Sequence, residues 1–209
     1  MAETLSPVKL IELGFELCGS YSIDENDMRG FTGRGALMST ASLQRYLQKA
    51  SGIKGTQAAK RALPHIIDGS ASPMETKLAM LLSLPASYGG FGLPKPRLNH
   101  PVITKDESAY DGKRHYLCDL YWPDSKLAIE YDSDMFHTGS DRISHDAERR
   151  RNLIAKGITV ISVTKDQVLY ASKTEALARM LASKMKRRVR TSIEDAADRR
   201  IALRKELFR

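Results

Sequence analysis

Acidic side chains set inside apolar strands carry the most chemical information in this chain. Residues His115–His137 read HYLCDLYWPDSKLAIEYDSDMFH. Two apolar runs, His115–Trp122 and Lys126–Asp132, flank a Pro-Asp-Ser turn. Each is alternating, aromatic and β-branched enough to form a strand, and together they predict a hairpin. Asp119 interrupts the first run, and Glu130 and Asp132 close the second. A carboxylate inside an apolar strand is costly unless it is paired or holds a metal. Strand alternation puts Glu130 and Asp132 on one face, roughly 7 Å apart along the backbone. A loop of two residues (Asp124–Ser125) or of four (Trp122–Ser125) sets Asp119 on the same face. Three converging carboxylates suit a hard divalent cation, Mg²⁺ or Mn²⁺.

The neighbouring segments must build the sheet that holds these acids. Ser140–Lys156 is a charged helix with Ile143, Ala147 and Ile154 at helical spacing, and Gly157 ends it. Ile158–Val163 reads as a buried strand. A helix between two strands is a crossover unit, so this strand is expected to lie parallel to the one bearing Glu130. Lys165–Arg188 follows as one long helix, with Lys165 just beyond the parallel strand. Upstream, Ser72 is a natural N-cap and Pro73 a natural first residue for a third helix. Its early Glu75 either complements the helix dipole or turns toward the acids. The Gly- and Pro-rich run Pro85–Pro101 is an irregular connection, and Pro101–Thr104 a short strand.

Before Ser70 the pattern is mainly helical. Ser6–Ser20 holds a short helix or strand, and Tyr21–Arg34 reads as a loop. Helices are expected from Ser39 or Thr40 through Ala50 and over Thr56–Ile67. The pair around Ser51–Gly55 is either a helix-turn-helix reader or a packing element. The fold class is therefore α/β: a small mixed sheet flanked by helices, with a helical N-terminal module over residues 1–69, a core over 70–183 and a basic helical tail over 184–209.

The run CDLYWPDSKLAIEYD, then FH, then DAERRRNLIAKGITVISVT resembles the PD-(D/E)xK nucleases, in the branch related to very-short-patch-repair endonucleases. The likeness covers roughly Pro73–Tyr170. It implies a restriction-endonuclease-like sheet and a divalent-metal-dependent DNA endonuclease. Asp119 and Glu130 would be metal ligands, with Asp132 and Glu75 as further ligands. His137, just past the carboxylate strand, would shuttle a proton. The sequence departs from the pattern at two positions: Asp132 stands where the motif has its lysine, and Ser133 where this branch has glycine. Lys165 is the expected substitute cation, along with Arg149 or Arg150. The missing lysine also keeps a second reading open, a nuclease-like domain that binds DNA without cutting it, as a regulator or defence-system component.

Composition fits a soluble globular protein: 42% of residues are hydrophobic and 28% charged. No apolar run approaches membrane-spanning length. Cys18 and Cys118 alone give neither a disulfide framework nor a cysteine zinc site, which predicts a cytoplasmic, reducing location. Net charge is +8, and residues 184–209 carry ten Lys/Arg against four Asp/Glu, so the excess is concentrated there. Such a stretch is either a solvated basic helix or a polyanion-binding one, with DNA the first partner. Lys186, Arg187, Arg188 and Arg190 are its expected phosphate contacts. The N-terminal module is the expected surface for a homodimer or protein partner.

Overall fold

The computed structural model describes residues 4–50, 52–105, 113–132, 150–189 and 195–209. They fall into two units, Met1–Pro96 with Val189–Arg209, and Arg97–Arg188. The first boundary therefore lies at Pro96, beyond the third helix, and not at Gly69.

In the first unit, α1 (Pro7–Leu17) starts where the Ser6 hydroxyl accepts the Lys9 N–H and Pro7 fits the first turn. It buries Val8, Leu10, Ile11 and Phe15. The segment expected to be a loop contains a small antiparallel hairpin, β1 (Tyr21–Ile23) with β2 (Phe31–Gly33). Helix α2 (Thr40–Lys49) is closed at its start by a Ser39–Ser42 capping box. Helix α3 (Thr56–Ala62) ends sooner than expected and passes into a 3₁₀ turn, Leu63–His65. Pro64 has no N–H to continue the α-helical ladder. Helix α4 (Pro73–Ser83) is almost wholly buried. Two of its neighbours depend on it: Tyr21 Oη and Ser70 Oγ each meet Thr76 Oγ1, at 3.0 and 2.8 Å.

The C-terminal stretch expected to be one basic tail is divided between the units. Lys186, Arg187 and Arg188 end the second unit. The last helix of the chain, Ala196–Leu207 (α8 below), packs within the first unit against α1 and α4. It buries Ala196, Leu203 and Leu207. Its cations are used locally: Arg199 donates to the Ser87 carbonyl at 2.9 Å, and Arg200 and Arg204 lie over the rings of Phe91 and Phe208. Gly89 shows how close the approach is. Its φ is +88°, and a Cβ there would fall 2.2 Å from the Arg199 carbonyl oxygen.

The second unit is a four-stranded sheet in the order β3 (Arg97–Lys105), β4 (Lys113–Trp122), β5 (Leu127–Asp132), β6 (Thr159–Thr164). The first two pairings are antiparallel and β5–β6 is parallel, as the crossover pattern predicted. The β4–β5 loop is the four residues Pro123–Lys126, with Lys126 at φ +46°. Its length is even, one residue out of step with the expected Trp122–Ser125. Strand β3 begins four residues before the short strand expected at Pro101. Residues 150–155 (α5) lead through Gly157 into β6. The single long helix expected after β6 is two: α6 (Lys165–Leu169) and α7 (Ala171–Lys184), separated by extended Tyr170. The Thr174 hydroxyl ties them, lying 2.8 Å from the Gln167 carbonyl.

The packing of α8 gives a direct test. Leu207 is fully buried whereas Ile201, on the same helix, is 52% exposed. Leu207→Ala should cost about 2–5 kcal/mol and Ile201→Ala less than about 0.5 kcal/mol in urea unfolding of the full chain. Equal, small effects would mean that α8 is an appendage.

Candidate functional site

The site begins with the register of the sheet. Leu120 pairs with Ile129 and Tyr121 with Ala128. The ladder ends at Leu120 and Ile129; carried one step further, its register would set Asp119 opposite Glu130. The parallel register puts Ser162 beside Glu130 and Thr164 beside Asp132. Ala128, Glu130 and Asp132 therefore share a face, and burial falls along it: Ala128 is fully buried, Glu130 half-buried, Asp132 exposed. One carboxylate oxygen of Glu130, Oε1, is inaccessible to solvent.

Asp119 is placed differently. Its Oδ2 accepts the backbone N–H of Tyr131 at 2.7 Å, across the strand gap where the β4–β5 ladder has ended. The carboxylate lies toward the plane of the sheet, and a main-chain dipole supports its charge. The strands around it are not regularly pleated. Cys118 and Tyr121 are three residues apart, so a regular strand would point them to opposite faces. Yet Cys118 belongs to a buried cluster with Tyr116, Ala128, Leu153 and Ile158, and Tyr121 packs against that same cluster. The pleat inverts between them, at the level of Asp119. The same inversion shows in β3. There His100 is the register partner of Cys118, yet its ring stacks on that of Tyr121 with centroids 5.6 Å apart and planes 11° apart. Between His100 and Leu98 lies Asn99, at φ +45°.

Helix α5 is tied to the sheet. Leu153 is fully buried, Asn152 Nδ2 donates to Tyr116 Oη at 2.7 Å, and Lys156 Nζ donates to the Ile103 carbonyl. These contacts fix the helix over β3 and β4. One turn before Leu153, the Arg150 guanidinium donates to Ser162 Oγ, in the row that contains Glu130. Lys165, the other expected substitute, is exposed at the first position of α6, one residue past the partner of Asp132.

The remaining expected site residues divide as follows. Glu75 is in the first unit and is used in helix capping: its carboxylate accepts from Ala71 N at 3.0 Å and Ser72 Oγ at 2.9 Å, while Ser72 Oγ accepts Glu75 N–H. Lys186 and Arg187 follow α7, where Lys186 is at φ +53° and Arg187 N–H reaches the Ala182 carbonyl at 2.8 Å. His137, Arg149 and Arg190 lie outside the described residues. Among the described residues, no three His, Cys, Asp or Glu side chains form a group able to hold a metal ion. Mg²⁺ needs less. It keeps most of its water and is commonly held by one or two carboxylates, which Asp119 and Glu130 can supply.

Other reactive groups in the described structure are poor competitors. Burial, with the Asp68 carboxylate alongside, pushes the Cys18 thiol up to about 12, so it is no nucleophile at neutral pH. Burial and then Arg97 lower His100 from the usual histidine range. Sequence reasoning missed Asn99 and Ser162. Asparagine's tolerance of left-handed backbone was the one available signal for the first. Ser162, inside an apolar run, gave none.

No family model matches the chain, and no solved structure matches it. Two curated proteins of Mycobacterium tuberculosis are similar to it, "Uncharacterized protein MT2308" of strain CDC 1551 and "Uncharacterized protein Rv2248" of strain H37Rv. Each is 27% identical over 128 residues, 61% of this chain. The chain spans 43% of the length of these relatives.

Proposed function

We propose that the second unit is a restriction-endonuclease-like domain that hydrolyses phosphodiester bonds in DNA with a divalent metal. What supports this reading is that Asp119 and Glu130 lie on adjacent strands, each one residue beyond the last β4–β5 pair Leu120 and Ile129, and that Arg150 is bonded to Ser162, the β6 neighbour of Glu130. Asp119 and Glu130 would hold Mg²⁺ or Mn²⁺. Bound there, the cation would acidify a water molecule and neutralise charge on the phosphate. The protein's own groups supply the rest. The Tyr131 N–H would hold the Asp119 carboxylate in place. Arg150 offers a fixed positive charge beside Glu130, the electrostatic part of what the motif lysine contributes, although a guanidinium does not give up its proton. Asp132, exposed and on the Glu130 face, adds negative charge at the mouth of the site. Lys186, Arg187 and Arg188, in the same unit, would contact DNA phosphates.

A second reading rests on the Asp132 position. An acid where the motif carries lysine removes a cation and adds a like charge, which fits a domain that binds DNA without cutting it. In that reading Glu130 is a structural acid, and the chain is a regulator or defence-system component. Metal binding separates the two.

Supercoiled plasmid incubated with the full chain and Mg²⁺ should be nicked. Glu130→Gln should lower the rate at least about a hundredfold, the upper end of what weaker metal-supporting groups cost, and leave the metal-free melting temperature unchanged. Mg²⁺ should raise the melting temperature of the wild type and not of the variant. No nicking and no Mg²⁺-dependent shift in the wild type would establish the non-catalytic reading. Nicking that survives in Glu130→Gln would remove Glu130 from the metal site.

Arg150 separates charge from geometry. Arg150→Ala should reduce turnover about a hundredfold, as loss of one transition-state donor does elsewhere. Arg150→Lys, retaining charge but not the fork that reaches Ser162, should recover part of it. Full activity in Arg150→Ala would pass the role to Lys165.

A further inference from the structure

Asn99 is a non-glycine residue with left-handed backbone inside a strand. The other described non-glycine residues with positive φ are Lys126, Lys186 and Asp195, and these sit in a hairpin loop, after a helix and before a helix. The β3–β4 register is the same on both sides of Asn99: Leu98 pairs with Leu120, and His100 with Cys118. No residue has been inserted, so the feature is a pleat inversion and not a bulge. It falls directly across from Asp119. The two consequences already described follow from it: His100 turns onto the Tyr121 ring, and Cys118 joins the cluster of Tyr121 and Ala128. Asp119 sits at the crossing point between the two pleat senses. A side chain there belongs fully to neither face, and its carboxylate meets the Tyr131 N–H.

We infer that Asn99 is a positioning residue, whose left-handed backbone directs the Asp119 carboxylate onto the Tyr131 amide and so toward Glu130. This rests on the metal-nuclease reading for its use, though not for its geometry. Asparagine and glycine accept this backbone readily, whereas a β-branched residue favours the extended strand. With a regular pleat, Asp119 would stand out from one face and release the amide.

The test compares Asn99→Gly with Asn99→Val in the full chain, following the ¹⁵N–¹H resonance and hydrogen exchange of Tyr131, with Asp119→Asn as the reference for a weakened bond. Asn99→Gly should keep the wild-type Tyr131 shift and protection. Asn99→Val should move the resonance toward that of Asp119→Asn and speed exchange about tenfold or more. In the plasmid assay, Asn99→Val should lower kcat with little change in KM for DNA, and Asn99→Gly should restore it. If the valine variant does not fold, Asn99→Ala, which disfavours left-handed backbone without β-branching, takes its place. A Tyr131 amide unmoved in the valine or alanine variant, or equally moved in the glycine variant, would overturn the inference. A wild type without Mg²⁺-dependent nicking would sink the nuclease reading alone, because the amide readout needs no cleavage.

Discussion

The hydrogen bond from the Tyr131 amide to the Asp119 carboxylate is the constraint around which the sheet is arranged. A carboxylate within an apolar sheet loses hydration that it must recover from somewhere. Here it recovers part of it from main chain, at the place where the β4–β5 ladder stops after Leu120 and Ile129. The interruption on one side of β4 coincides with the left-handed Asn99 on the other. Asparagine tolerates a left-handed backbone better than most non-glycine residues, but within a strand that conformation persists only where its surroundings over-determine it. The stacked His100 and Tyr121 rings and the apolar cluster beyond them are those surroundings. The unit therefore holds a charged group in its sheet by distorting two neighbouring strands together, with no change of register.

The first unit solves a different problem. Helix α4 is buried on nearly every side, so α1 alone cannot enclose it. Closure comes from the far end of the chain, with Leu203 and Leu207 of α8 inserted and Ser6 on α1's cap hydrogen-bonded to Glu206. Two cations, Lys77 and Arg204, lie over the Phe208 ring, and burial lowers the pKa of both. Basic residues that look like a polyanion-binding tail in sequence thus serve as snorkelling cover, with aliphatic stems on apolar surface. Sequence charge alone does not say which role a lysine or arginine has.

The legible parts of the fold were those where one local rule acts alone. Ser72 and Pro73 marked the start of α4, and Gly157 the entry to β6, because capping and left-handed glycine are local requirements. The parallel β5–β6 pair followed from chain connectivity. The even parity of the β4–β5 loop was legible although its residues were placed one position early, since Pro123–Ser125 forms a 3₁₀ turn that Lys126 completes. What escaped depends on partners distant in sequence or on short elements. Strands of three residues, β1 and β2, are too brief to show a period. Tyr170 breaks a helical pattern without glycine or proline, through hydrogen bonds that Thr174 makes. Of the apolar residues in the last helix, Leu203 and Leu207 turn inward and Ile201 outward, a choice set by tertiary packing. At the candidate site, the placing of Asp119 and Glu130 on neighbouring strands could be read from the hairpin pattern, but the bond from Asp119 to the Tyr131 amide could not, because alternation assumes a regular pleat.

The pleat inversion bears on why three acids need not be three ligands. Continued by one step, the β4–β5 register would set Asp119 and Glu130 about 5 Å apart, whereas Asp132 is about 7 Å further along β5. Were all three to ionise around one small site, they would repel one another. Exposure resolves the conflict for Asp132, whose charge is screened by water. Its place on the Glu130 face then acts as a field and not as a bond. It raises the local concentration of cations at the mouth while repelling a phosphate that arrives without one. An acid in the lysine position would thus make any nuclease chemistry here more dependent on bound metal, and any metal-free contact with nucleic acid weaker.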